Sequence, residues 1–192
     1  LYISECRYNY IGKAFKDIRE IDPATGSVKR IELPFDAEDM CFDQKGFAYL
    51  RTLSTVVRYD ISANPWVEVP WDYGMENPKV HTDSGSARKE GNAISAIELP
   101  AGGDWHTGGM YLNSKGHLAV GLVTARTAEG NAIGKGFNPV MYPGRSIGGR
   151  GGNVAISVYD QYGKVMHQVF IPGLANNSYG VGVDNSGNLY LM

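Results

Sequence analysis

Apolar and polar residues alternate along most of this chain, and the alternation is interrupted by one short phrase that occurs three times. In each copy an apolar run meets Asp or Asn, then two polar residues and a Gly, after which the alternation resumes. The copies span residues 42–50, 112–120 and 183–191. The pattern is typical of two antiparallel strands joined by a tight turn, with Gly at positive φ and the Asp or Asn side chain bonded to nearby backbone. We therefore predict a repeated β-hairpin.

A second kind of hairpin lies between the copies of this phrase. Residues 17–34 place apolar positions on both sides of an Asp-Pro-Ala-Thr-Gly turn at 22–26, and counterparts occur at 57–70 and 156–173. Each unit then holds two hairpins, or four strands. Four-stranded units that recur about every 40 to 50 residues are typical of β-propellers. The sequence predicts an all-β fold built from β-propeller-type blades.

The spacing of the repeats predicts the domain organisation. Tyr2 and Tyr49 stand one blade apart, whereas the phrases at 42–50, 112–120 and 183–191 are separated by more than one blade. We predict a single propeller portion of about three blades, an incomplete ring with two long loop insertions. Its parts are a partial blade 1–34, a blade 35–71, an insertion 72–104, a blade 105–173 with an insertion 124–152, and the start of the next blade at 174–192. Because both chain ends fall inside apparent strands, we expect a piece of a longer protein.

Two runs carry a resemblance to known proteins. They are Ile-Asp-Pro-Ala-Thr-Gly followed by Ile-Glu-Leu-Pro within 21–34, and Tyr-Gly-Val-Gly-Val-Asp-Asn-Ser-Gly-Asn-Leu-Tyr at 179–190. Both resemble blades of the NHL-repeat, gluconolactonase-like (SMP-30-like) and virginiamycin B lyase-like propellers, and the similarity covers most of the chain outside the two insertions. The resemblance implies a ring of six or seven blades in the whole protein. Resemblance to the gluconolactonase-like enzymes further implies one divalent metal bound by Glu, Asn and Asp at the channel mouth. Resemblance to the lyase-like enzymes implies a His base in addition. No complete set of these ligands can be matched to residues of this chain.

The propeller hypothesis places a candidate site at one end of the channel. In a propeller, the loops that enter each first strand and the loops between second and third strands open on the same face. Oxygen ligands suit hard cations such as Ca²⁺ or Mg²⁺, and a His beside them could move protons. The predicted roles are catalysis for His106; metal binding for Glu38, Asp39 and Asn177; and ligand binding for Arg7, Arg51, Asp104 and Arg145.

Each candidate also has a purely structural interpretation. Glu38, Asp39 and Asn177 are residue types that form solvated turns, and His106 could pack beside its neighbour Trp105. Arg145 lies in a Gly-rich run that lacks the Gly-Lys-Ser/Thr ending of a phosphate-binding loop. The sequence leaves these alternatives open.

Charge and cysteine content narrow the function classes. With a net charge of -2, the chain has no excess of positive charge that would attract nucleic acid, and no apolar stretch reaches the roughly 18 to 20 residues of a membrane span.

The two cysteines, Cys6 and Cys41, could lie across a blade interface, either as a disulfide or as two buried free thiols.

Two functions follow from this reasoning. The first is a ligand- or protein-binding propeller module, periplasmic or secreted, whose partner is an unidentified small molecule or protein. The second is a metal-assisted, lactonase-like hydrolase or lyase acting at the channel mouth, with the test residues Glu38, Asp39, His106 and Asn177. We favour the binding module, because no constellation of acid, base and metal ligands is complete in the sequence, and whether the chain is an enzyme stays open.

Overall fold

The fold is all-β, as the hairpin pattern predicts. The structure is a computed structural model that describes residues 1–4, 15–52, 55–69, 82–83, 86–87, 96–98, 106–124, 126–140, 152–175 and 180–191. The strands are β1 (Tyr2–Ser4), β2 (Phe15–Ile21), β3 (Val28–Ala37), β4 (Asp39–Phe42), β5 (Phe47–Arg51), β6 (Thr55–Asp60), β7 (Val67–Glu68), β8 (Thr82–Asp83), β9 (Ser86–Ala87), β10 (Ala96–Glu98), β11 (His106–Leu112), β12 (Leu118–Thr124), β13 (Asn138–Pro139), β14 (Gly152–Tyr159), β15 (Val165–Ala175), β16 (Val181–Val183) and β17 (Leu189–Leu191). A short helix, α1 (Ala128–Ala132), precedes β13.

The strands form several small sheets in which chain neighbours pair antiparallel. The first sheet has the order β1-β2-β3, and the second has β4-β5-β6 with both β7 and β10 on β6. The third has β11-β12-β14-β15, with β13 parallel to β15. The fourth is the pair β16-β17, and β8 pairs with β9. The predicted insertion 72–104 thus contributes β10 to the second sheet, and the predicted insertion 124–152 contains α1 and β13. The arrangement of the sheets as propeller blades remains a prediction.

The hairpin turn of the repeated phrase has one geometry throughout. Oδ1 of the leading Asp or Asn accepts the backbone N–H groups two and four residues later, at 2.8–3.0 Å. The fourth residue of each turn is a Gly with φ between 80° and 92°. These turns begin at Asp43, Asn113, Asp160 and Asp184. The structure therefore contains a fourth copy, at 160–164, inside what the sequence indicated as the second kind of hairpin.

Neighbouring turns are joined where the third and fourth sheets meet. The Asn113 side-chain amide donates to the Asp184 carbonyl at 3.0 Å, and Lys115 Nζ donates to the Asn185 carbonyl at 2.8 Å. Ser114 and Asn185 exchange side-chain hydrogen bonds of 2.8 and 3.0 Å. The same turn that closes one hairpin thus also fastens it to the next sheet.

Apolar side chains fill the space between successive sheets. Because adjacent strand residues point to opposite faces, Leu50 and Val57 pack toward the first sheet, whereas Tyr49 and Val56 pack toward the third. The third sheet reaches the fourth through a further cluster that includes Val181. Every residue of β12 and β14 is buried, so these two central strands are covered on both faces.

The short helix is anchored by one buried amide side chain. Asn153 on β14 is 1 % exposed. Its Nδ2 donates to Asn131 Oδ1 at 2.9 Å and to Thr124 Oγ1 at 3.3 Å, while its Oδ1 accepts the Gly173 N–H at 3.1 Å. Asn153 therefore ties α1 to β12, β14 and β15.

The first strands of three sheets lie side by side. β4 of the second sheet contacts β11 of the third, and β11 contacts β16 of the fourth. This row of strands brings the beginning of β4 and the end of β5 against β11, which positions the candidate site described next.

Candidate functional site

Arg51 occupies the centre of the candidate site. It is the last residue of β5, directly opposite Asp39 on β4, and its side chain is 0 % exposed. Nη1 donates to the Gly109 carbonyl on β11 at 2.9 Å. No acceptor within the described parts of the chain receives a hydrogen bond from Nε or Nη2. The guanidinium thus spans the second and third sheets with two donors left unmatched.

Asp39 and Glu38 lie beside this guanidinium. Asp39 Oδ1 accepts the Met40 N–H at 2.8 Å, and the Glu38 N–H donates to the Arg51 carbonyl at 2.6 Å. Both carboxylate residues are partly exposed. They therefore form the solvent side of a group whose buried side is Arg51.

Burial dominates the electrostatics of this group. It raises the pKa of Asp39, although hydrogen bonds from the Met40 and Met110 N–H groups and the charge of Arg51 lower that pKa in part. Burial likewise lowers the pKa of Arg51 to about 10, with Asp39, Glu38 and Tyr159 opposing the shift. The attraction between the Asp39 and Arg51 charges does not offset the free-energy cost of removing each of them from water.

Two further titratable side chains near this group stay neutral at physiological pH. Burial raises the pKa of Tyr159 to about 12, while a hydrogen bond with Ser157 and the charge of Arg51 act against that rise. Burial also raises the pKa of the Cys41 thiol, and the carboxylates of Asp39 and Asp43 add to the effect. Cys41 is a free thiol, and because it stays protonated it is a poor nucleophile.

The structure brings three of the predicted residues together. Glu38, Asp39 and Arg51 form one group, level with Gly109 and Met110 of β11. His106 begins the same strand three residues before Gly109, beyond a register irregularity between Thr107 and Met110. Its side chain is not among the described ones. Arg7, Asp104, Arg145 and Asn177 also lie outside the described residues. So does Cys6, for which the sequence left open a disulfide with Cys41 or a buried free thiol.

The predicted metal site lies only partly within the described residues. Among them, no group of three or more His, Cys, Asp or Glu side chains could hold a metal ion. Asn177 and the side chain of His106, which complete the predicted set with Glu38 and Asp39, are not described, so the prediction of a Ca²⁺ or Mg²⁺ site stays untested.

A cleft at the turn edge of the second and third sheets was not anticipated from the sequence. Its volume is about 480 Å³, and it lies between the turns 43–47, 113–117 and 160–164. Three basic residues line it, namely Lys45, Arg58 and Lys115. One signal could have revealed it: the residue before the turn Gly is Lys in the first two copies of the phrase, at 45 and 115.

Comparisons with known proteins assign no family to the chain. No model of a known protein family matches it, and a search of curated proteins found no significant match. In the part of the chain that the structure describes, no helix has the length and apolar content of a membrane span.

Proposed function

We propose that the chain is part of a β-propeller-type module that binds a ligand where the second and third sheets meet. Three features support the propeller arrangement: antiparallel sheets in chain order, apolar layers between successive sheets, and first strands that lie side by side. In such folds the channel mouth beside the first strands is a usual ligand position, and fold alone does not define the ligand.

The observation that carries the proposal is that two nitrogens of Arg51, Nε and Nη2, meet no acceptor in the described parts of the chain. A buried N–H group without an acceptor costs about 1 to 3 kcal/mol, and most native side chains avoid this cost. Departures from such rules concentrate at functional sites. Arg51 has two such groups, directly behind the partly exposed carboxylates of Glu38 and Asp39.

This arrangement fits a ligand with mixed polarity. Donor groups of the ligand, such as hydroxyls or amines, pair with Glu38 and Asp39, because carboxylates accept hydrogen bonds. An oxygen acceptor of the ligand, or a water that enters with it, meets the free donors of Arg51. The ligand class is therefore a polar small molecule or peptide segment that carries both donors and acceptors.

Nuclear magnetic resonance tests the proposal on the 192-residue chain. A screen of amino acids, sugars and hydroxy acids should yield compounds that shift the backbone amide signals of residues 38–40, 51 and 109–110. The same compounds should lose affinity for the Arg51→Met variant and keep it for Arg30→Met, which removes an exposed guanidinium that is paired with Asp17. A screen whose hits never affect those amides would reject the site.

The metal-assisted hydrolase or lyase is the second candidate. The neighbouring carboxylates Glu38 and Asp39 favour it, since Asp39 contacts the strand that His106 begins. Calorimetric titration with Ca²⁺ and with Mg²⁺ decides the metal part: this function predicts stoichiometric binding that Glu38→Gln and Asp39→Asn abolish. His106→Ala should then retain the metal while losing turnover of lactone substrates. Absence of saturable binding of either ion would remove the candidate.

A further inference from the structure

The cleft between the second and third sheets differs from the Arg51 site in position and in composition. It lies at the opposite end of β5, beside the turn that precedes Phe47, whereas Arg51 is the last residue of that strand. Its volume of about 480 Å³ falls within the range of about 300 to 1,000 Å³ that is usual for small-molecule sites. All of its lining residues belong to the described part of the chain.

Apolar side chains provide one part of the lining. Phe47 and Leu112 are partly buried and pack against the core between the two sheets, and Phe42 also lines the cleft. Tyr162 stands at the rim and is 51 % exposed. These surfaces suit the apolar body of a ligand, especially a ring that can stack on an aromatic side chain.

Basic side chains provide the other part, and the two lysines among them donate to neutral groups. Lys45 Nζ donates to Gln161 Oε1 at a long 3.4 Å, and Lys115 Nζ donates to the Asn185 carbonyl at 2.8 Å. The guanidinium of Arg58 lies over the Phe47 ring at 4.7 Å. Because an ammonium has three donors, each lysine retains N–H groups for a ligand.

The only carboxylate in the lining is turned toward its own hairpin. Asp43 Oδ1 accepts the N–H groups of Lys45 and Phe47, and Oδ2 accepts the Tyr49 hydroxyl at 3.1 Å. Neither Lys45 nor Lys115 forms an ion pair with any described residue. The lining thus carries three positive charges and one negative charge, so its excess is positive.

We propose that this cleft binds a small organic anion with an apolar, preferably aromatic, body. The anionic group faces Lys45 and Lys115, where charge-assisted hydrogen bonds are available. The apolar body lies on Phe47 and Leu112, and Tyr162 covers its outer side. This inference does not depend on the function proposed for the Arg51 group.

The dye 8-anilino-1-naphthalenesulfonate is a suitable probe, because it joins an aromatic body to one sulfonate. Fluorescence titration of the 192-residue chain should show saturable binding of a single dye per chain, weakened by added NaCl. The variant Lys45→Gln/Lys115→Gln should bind at least about tenfold more weakly, because it loses two charged donors. The control Lys16→Gln/Lys135→Gln makes the same change in net charge at exposed positions outside the cleft and should bind within about twofold of the parent chain.

A neutral dye, N-phenyl-1-naphthylamine, separates loss of charge from loss of the cleft itself. Its affinity should be equal in all three proteins, which shows that the cleft itself is intact in both double variants. Equal weakening of the sulfonate dye in both double variants would overturn the proposal, and so would unchanged binding in Lys45→Gln/Lys115→Gln. Failure of the parent chain to bind the sulfonate dye in a saturable way would also overturn it.

Discussion

Replacing Arg51 by Met should leave the ligand-free chain as stable as before or make it more stable. Met keeps an unbranched apolar stem in the space that Arg51 occupies and removes the guanidinium. The change relieves two unmatched buried donors, Nε and Nη2, at about 1 to 3 kcal/mol each. It also loses the hydrogen bond from Nη1 to the Gly109 carbonyl, which as a bond from a charged donor contributes about 1.5 to 3 kcal/mol. The balance runs from a loss of about 1 kcal/mol to a gain of about 4.5 kcal/mol in the free energy of unfolding, with a gain of about 2 kcal/mol at its centre.

Urea unfolding followed by circular dichroism measures this free energy, provided that the slope with urea stays unchanged. The double variant Asp39→Asn/Arg51→Met also removes the partly buried Asp39 carboxylate, which would otherwise lose its neighbouring positive charge, and should be at least as stable as Arg51→Met alone. Arg30→Met is the matched control: because the exposed Arg30 guanidinium pairs with Asp17 at 2.8 and 2.9 Å, its loss should cost about 0.2 to 1 kcal/mol. A loss of more than about 1 kcal/mol in Arg51→Met would refute the reasoning, since it would show that the guanidinium stabilises the fold.

Three further predictions concern the turns and the anchored helix. Hydrogen bonds from Asn188 and neighbouring groups lower the pKa of Asp184 from 3.8 to about 2. The stability that this carboxylate contributes is therefore complete above pH 3.8 and is lost as the pH falls through about 2. When the thermal midpoint is measured as the pH is lowered, Asp184→Asn should keep the turn and lose this part of the pH dependence. An unchanged acid profile would show that Asp184 does not contribute to stability in this way. Asn153→Ala should lower the free energy of unfolding by about 2 to 4 kcal/mol, because it leaves buried groups of three elements without partners; a loss below about 1 kcal/mol by urea unfolding would contradict the anchoring role. Gly116→Ala and Gly46→Ala both place a side chain at positive φ, which costs about 1 to 2 kcal/mol. Only the Cβ at 116 would meet another atom, Gln161 Cβ at 3.1 Å, so Gly116→Ala should be the less stable variant. Equal thermal midpoints of the two variants would reject this close approach.

Local patterns predicted the strands and turns because their causes lie within a few residues. Asp43 and Gly46 define a hairpin through contacts inside the same turn, and alternation assigns Tyr49 and Leu50 to opposite faces. The turn at Asp160 falls within the second kind of hairpin by sequence, yet its side-chain hydrogen bonds are those of the repeated phrase.

The candidate sites depend on contacts between distant residues, and the sequence could predict them only in part. Arg51 was a predicted ligand-binding residue, but its complete burial depends on Gly109, 58 positions away. The cleft depends on Lys45 meeting Gln161, 116 positions away. Neither separation follows from periodicity, because the long segments between repeats obscure which sheets become neighbours.

The joined turns of the third and fourth sheets have a mechanical consequence. Across that boundary Asn113, Ser114 and Lys115 hold the next turn through several short hydrogen bonds. Across the cleft, the turns at 43–47 and 160–164 are joined by a long hydrogen bond of 3.4 Å from Lys45 to Gln161, whereas the interior of the same boundary is held by the apolar cluster around Tyr49 and by the bond from Arg51 to Gly109. The second and third sheets are therefore fixed at their interior and weakly joined at their turn edge, so that the width of the cleft can adjust to its occupant without separating the sheets.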